Sequence, residues 1–161
     1  MLKIVNITLS IIVIIVLLGL FIFNVKDDRL VTTRWYCDQS KNSFISKAYS
    51  EYRTFTEHMI FTFSSEDSFM IHEYITVEKN NGNRSPIEVF YEGKYNQRKN
   101  ELTLKFERVR LLKKYQDSNI NKSYQDYQGY SISYAYKQLS NKMYLYSMSK
   151  NDVFDMVCYK N

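Results

Sequence analysis

The side chains best suited to proton, metal or nucleophile chemistry are few. They are His58 and His72, each beside a glutamate (Glu57 and Glu73), and the cysteines Cys37 and Cys158. An imidazole and a carboxylate can share general acid and base work, and a thiol next to an imidazole can act as a nucleophile. The spacing assembles neither arrangement. The histidines stand 14 residues apart on different predicted strands. H-E-x-x-H, C-x-x-C and G-x-S-x-G are all missing, and neither cysteine has a local setting that would lower its pKa. The expectation is a non-enzyme with no catalytic residue, no metal site and no cofactor.

The cysteines have another use. In an oxidising compartment an even pair reads as a disulfide candidate. If the first and last strands of the domain are neighbours, as in a closed barrel, Cys37 and Cys158 could meet and staple its ends. Two buried thiols, or a bridge between molecules, are the alternatives.

Compartment follows from the first part of the chain. Between Lys3 and Lys26 runs "IVNITLSIIVIIVLLGLFIFNV", 22 residues without a charge. As a helix it covers about 33 Å, enough for a bilayer core of about 30 Å. A cleaved signal peptide would need a shorter apolar region and small residues before a cleavage site, whereas this run ends in Phe21, Ile22, Phe23, Asn24 and Val25. The reading is an uncleaved signal anchor: 1–3 a cytoplasmic stub, 4–25 the transmembrane segment, 26–161 an exported periplasmic domain. Flanking charges do not set the direction, but a long domain translocates largely regardless of charge, which favours an inner-membrane protein with the N-terminus cytoplasmic. Such a chain has almost nothing in the cytoplasm and can carry a message inward only through a partner.

The formal net charge is +5, and the charges are scattered along the chain. The densest basic stretch, "RVRLLKK" at Arg108 to Lys114, reads as a strand end entering a loop, so direct nucleic-acid binding is not expected.

The domain must be built from strands. "DSFMIHEYITVEK" alternates with period two, placing Phe69, Ile71, Ile75 and Val77 on one face and Ser68, His72 and Thr76 on the other. "PIEVFYEGKY" and "ELTLKFERV" repeat the pattern, and "RLVTTRWYC", "HMIFTF", "YSISYAY", "MYLYSMS" and "VFDMVCY" are further β-branched and aromatic runs. Turn chemistry separates them at "NNGNRSP", "NQRKN", "SNK" and "KND". Eight or so short strands with no convincing amphipathic helix predict an all-β fold, an antiparallel barrel or sandwich. Residues 42–55 read equally as strand or short helix. Gly93 lies between Tyr91 and Tyr95 on the apolar register, where a sheet that curves to close has use for a missing side chain.

Fifteen tyrosines and ten phenylalanines supply rings with an apolar body and, in tyrosine, a polar tip. By alternation, the interior candidates are Phe61, Phe63, Phe69, Ile71, Ile75, Val89, Tyr91, Leu104, Phe106, Tyr134, Tyr136 and Leu145. Some would line a cavity and the rest would be plain core. "KKYQDSNINKSYQDYQG", Lys113 to Gly129, is polar, aperiodic and longer than an ordinary hairpin loop, which marks it as a gate candidate through Tyr115, Tyr124 and Tyr127.

"RWYC" on the first strand, then "GKY" as G-x-[WY], a turn and "ELTLKFERV", resembles the lipocalin-like small barrels. With the anchor in front, the chain resembles the periplasmic ToxS group, small partners of membrane-bound DNA-binding regulators of the ToxR type. The resemblance implies a heterodimer with the regulator's periplasmic domain. It also implies a shared barrel, completed by a partner strand, whose apolar interior receives a bile salt, and regulator-driven virulence (type III secretion) gene expression. A ligand-independent stabiliser of the regulator and a stand-alone envelope lipid-binding protein are the competing readings.

Overall fold

A computed structural model describes residues 12–16, 30–42, 50–148 and 155–160. Of the apolar run at 4–25, only 12–16 fall in this set, and they are helical; the rest of the expected anchor lies outside the described residues. Among the described residues no helix is long and apolar enough to cross a membrane.

The domain is a closed antiparallel barrel in simple up-and-down order. Its strands are β1 (Thr33–Asn42), β2 (Tyr52–Phe63), β3 (Ser68–Lys79), β4 (Arg84–Arg98), β5 (Glu101–Lys113), β6 (Ser131–Leu139), β7 (Lys142–Ser147) and β8 (Met156–Tyr159). One helix, α1 (Ser118–Gln125), lies between β5 and β6. The ambiguous stretch 42–55 resolves in part: strand begins at Tyr52, and 43–49 lie outside the described residues, as does the expected turn at 150–152. Alternation does what the sequence implies. β2 and β3 each bury every second residue, so one face of the ribbon becomes a shared interior and the other meets water.

Closure is achieved inside the chain. β8 pairs with β1 through Tyr36↔Tyr159 and Cys37↔Cys158, and the two cysteines are joined in a disulfide across that ladder. The barrel therefore needs no strand from a partner to complete it. The bond closes a loop with a sequence separation of 121, and cross-links over loops that long remove much chain entropy from the unfolded state.

Gly93 sits at a bulge in the wall. It faces inward opposite Phe69 on β3, and the β4–β5 register slips there so that Glu92 pairs with Arg108 and Gly93 with Phe106. A β carbon on Gly93 would stand 1.9 Å from the Lys105 carbonyl oxygen and 3.0 Å from Cε1 of Phe69. The bulge bends β5, and the Phe69 ring covers the glycine. Pro86 is tolerated within β4 because β5 pairs with β4 only from Glu88 onward, so the proline removes no donor from a ladder on that side.

The wall is uneven. β5 pairs with β4 along nearly its whole length but with β6 only from Glu101 to Lys105. Beyond that point α1 and its flanks take the place of a strand: Gly129 N–H donates to Phe106 O at 2.7 Å, and Phe106 N–H to Tyr130 O at 2.9 Å. The expectation of a polar loop without helix is corrected here. Asp117 caps α1 by accepting from Asn119 N–H at 2.8 Å, and Ile120 and Tyr124, four apart, bury one face. Eight residues with one such pair leave too short a period to stand out in the sequence.

Candidate functional site: a polar chamber inside the barrel

The interior divides into two halves. The end where β1 begins is filled with rings. Trp35, Phe63 and Phe69 are fully buried; Phe63 meets Tyr95 edge-on at 4.8 Å, and Phe69 meets Phe106 at 5.5 Å. The polar tips there are all spent locally, Trp35 Nε1–H donating to Thr33 Oγ1 at 2.9 Å and Tyr95 O–H to Ser65 O at 2.9 Å. Among the described residues, these rings fill the half with no cavity between them.

The other half encloses a small cavity with polar groups set among mostly apolar walls. A cavity of about 70 Å³ is lined by Phe61, Ile71, Tyr91, Leu104, Phe106 and Tyr134, six of the twelve interior candidates. Phe63, Phe69, Ile75, Val89, Tyr136 and Leu145 are buried as well but pack elsewhere, as core rather than lining. Of the gate candidates, Tyr124 and Tyr127 reach the cavity. Tyr115 does not; it packs edge-on against Tyr52 at 6.1 Å, and Tyr52 O–H donates to Asp117 at 3.1 Å. Those contacts fasten α1 to β2 across the opening.

Two carboxylates stand in this chamber. Glu57 is 1% exposed and Glu73 5%. β2 and β3 pair Met59 with Glu73 and Glu57 with Ile75, which makes the two acids diagonal neighbours on the inner face. Burying charge is tolerable only with partners. Lys41, at the rim, places Nζ 2.7 Å from Glu57 Oε1, and Tyr124 O–H donates to the same oxygen at 3.5 Å. Tyr91 O–H donates to Glu73 Oε2 at 2.7 Å.

Burial, then the neighbouring Glu57, pushes the Glu73 carboxyl up to about 7, against the opposing pull of the Tyr91 hydroxyl and Lys41. Burial likewise raises the Tyr91 phenol well above its ordinary range, with the Glu73 charge adding to it, and burial raises Tyr134. Near neutral pH, Glu73 is thus a carboxyl that exchanges its proton, able to donate or accept a hydrogen bond. Around it, the rings of Tyr91, Phe106 and Tyr127 lie 5.5 to 6.2 Å apart, mutually edge-on or tilted. The arrangement can hold one small molecule beside these rings while reading a hydroxyl or carbonyl on it.

Glu57 and Glu73, weighed only as neighbours of the histidines, were not among the interior candidates, although the signal was present. Each sits mid-way along an alternating apolar register, between Phe55 and Met59 and between Ile71 and Ile75. A reading that groups only apolar residues passes over an acid in that register.

The histidines do not join the chamber. His58 Nδ1 is 2.6 Å from Asp38, and His72 Nε2 is 2.6 Å from Glu88, both on the outer face. Among the described residues no group of three or more His, Cys, Asp or Glu side chains is placed to hold a metal. No family model and no curated protein matches the chain, so geometry carries the functional argument.

Proposed function

We propose that this chain is a membrane-anchored, exported binding barrel whose inner chamber takes one small amphipathic molecule and reports its occupancy to a membrane-bound regulator. The observation that carries the binding step is the chamber itself: inward Glu57 and Glu73, four tyrosines and the rim Lys41 around open space in an otherwise apolar lumen. Export is supported by the Cys37–Cys158 disulfide, a bond favoured in oxidising compartments, and by the uncharged run Ile4–Val25. Coupling to a ToxR-type regulator, with virulence transcription as output, rests on the resemblance carried by "RWYC", "GKY" and "ELTLKFERV".

A bile salt would meet the tyrosine hydroxyls with those of its steroid, while its anionic tail would share Lys41 with Glu57, whose Oε1 holds Nζ at 2.7 Å. Ligand sites for molecules of that size run to about 300–1,000 Å³, far above the 70 Å³ present with α1 in place. Entry of a steroid therefore requires α1 to withdraw. The same small volume favours the second reading, a ligand-independent stabiliser of the regulator.

The test is calorimetric titration of a bile salt, below its micelle concentration, into the full chain in lipid nanodiscs. Empty discs serve as control, and the titration is repeated with the regulator's periplasmic domain added. One-site, saturable heat lost in Tyr91→Ala supports the sensor. No heat and no thermal shift in either setting leaves the stabiliser.

A further inference from the structure

The two ends of the barrel carry their charges differently. At the end where β1 finishes, three cations are neutralised locally, Lys79 with Glu51 at 3.1 Å and Arg53 and Arg84 with Glu78 at 3.3 and 2.7 Å, while Lys113 and Lys114 are exposed there without an ion pair among the described residues. The opposite end gathers the start of β1, the turns β2–β3, β4–β5 and β6–β7, and the end of β8. It presents Arg34, Arg98, Lys99, Lys142 and Lys160, all exposed. Among the described residues none of these five lies in an ion pair. Among the described residues the carboxylates nearby are Glu66, Glu101 and Asp67, and Asp67 is already held by Lys94 at 2.8 Å; the linker sequence before Leu30 adds Asp27 and Asp28 beside Lys26 and Arg29.

Apolar groups accompany the cations. Leu139, at the β6–β7 turn, is 45% exposed, and Tyr159, at the end of β8, is 46% exposed with Lys142 Nζ 5.6 Å from its ring centre. Rings and long basic side chains together are what a protein places at a lipid headgroup boundary.

Chain length fixes what this end faces. Only Lys26 to Arg29 separate the uncharged run Ile4–Val25 from Leu30, which is buried at this end of the barrel. Four residues reach at most about 14 Å, little more than the screening length of about 8–10 Å at physiological salt. With the run in a bilayer, the unpaired cations sit within the electrostatic reach of the lipid surface. The opposite end, with the α1 opening, is held on the side away from the membrane.

We propose that the barrel docks on the bilayer through this basic end, with Arg34, Arg98, Lys99, Lys142 and Lys160 against anionic phospholipid headgroups and Leu139 and Tyr159 at the boundary. The inference rests on the anchor reading. Docking orients the chamber opening toward the aqueous side, where ligand and regulator meet it.

The test uses the full chain in nanodiscs of phosphatidylcholine with and without phosphatidylglycerol. An environment-sensitive fluorophore is attached at Asn141→Cys in the basic end or, as control, at Asn81→Cys in the opposite end. Docking predicts that quenching by spin-labelled lipid at position 141 rises about threefold or more with the anionic lipid and falls back in about 0.5 M salt, as a screened surface contact should. Position 81 stays unquenched throughout. The charge-reversed variant Arg98→Glu, Lys99→Glu, Lys142→Glu, Lys160→Glu, with its fold verified by circular dichroism, loses the response. Equal quenching in both lipids, or equal quenching at 141 and 81, overturns docking while the anchor stands. Release of the chain from membranes by alkaline carbonate overturns the anchor instead, and docking with it.

Discussion

The two halves of the lumen are built from the same strands and the same alternation, yet one is solid and the other hollow. In the solid half, Phe63, Phe69, Trp35 and Tyr95 interlock, and every polar tip is answered within a few residues or across one turn. In the hollow half, two positions of the same inward register hold glutamates, and an acid cannot be packed over as a phenylalanine can. Its neighbours must be hydroxyls and a lysine, which leave gaps. The difference shows how a barrel makes a chamber without widening its wall: it changes what points inward at two positions.

If that contrast holds, equal changes should have unequal effects in the two halves. The largest loss belongs to the solid half. Phe69→Ala removes a fully buried ring that also covers Gly93. It should cost about 3–5 kcal/mol, read as a lowered denaturant midpoint of the full chain in micelles.

The hollow half should respond to pH instead. Glu73 is raised from 4.5 to about 7, so its native state holds the proton more tightly than the unfolded chain does. The stabilisation this gives is fully present below pH 4.5 and is lost as pH rises through about 7, a swing of about 3 kcal/mol. Glu73→Gln keeps the shape and a hydrogen-bonding partner for Tyr91 but cannot ionise, so thermal melts of the variant should flatten across that window. At pH 8 it should be at least as stable as the parent. An unchanged slope would show that Glu73 is not the group that titrates.

Smaller again is Gly93→Ala, which forces the Lys105 carbonyl aside at the bulge and should cost about 1–3 kcal/mol. The smallest effect is expected for Tyr124→Phe. Loss of its long bond to Glu57 should lower the melting free energy by about 0.5–1.5 kcal/mol. It should also raise amide exchange in Ser118–Gln125 more than in β3. Uniform exchange across both would mean that the helix is held by its apolar face alone.

The sequence shows the wall better than the chamber. Strands announce themselves because period two with β-branched and aromatic residues is repeated over many positions, and Gly93 stands out as an interruption of one such run. Six of twelve interior candidates line the cavity because alternation assigns a face correctly but says nothing about height along the barrel axis. Height is set by register and stagger, which depend on pairings such as Met59↔Glu73 that no local pattern encodes. The helix escaped for a different reason: eight residues supply one buried i, i+4 pair, below what periodicity can separate from a polar loop.

The seam between β1 and β8 also decides how the domain bears a load. A pull along the N-terminal segment enters the barrel at Leu30 and meets Cys37 within seven residues. From there the shortest covalent route to the end of β8 runs through sulfur to Cys158, bypassing the chain between them, a sequence separation of 121. Tension on that segment thus reaches β8 directly through sulfur, and β1 cannot be peeled from β8 past Cys37 while the bond is intact.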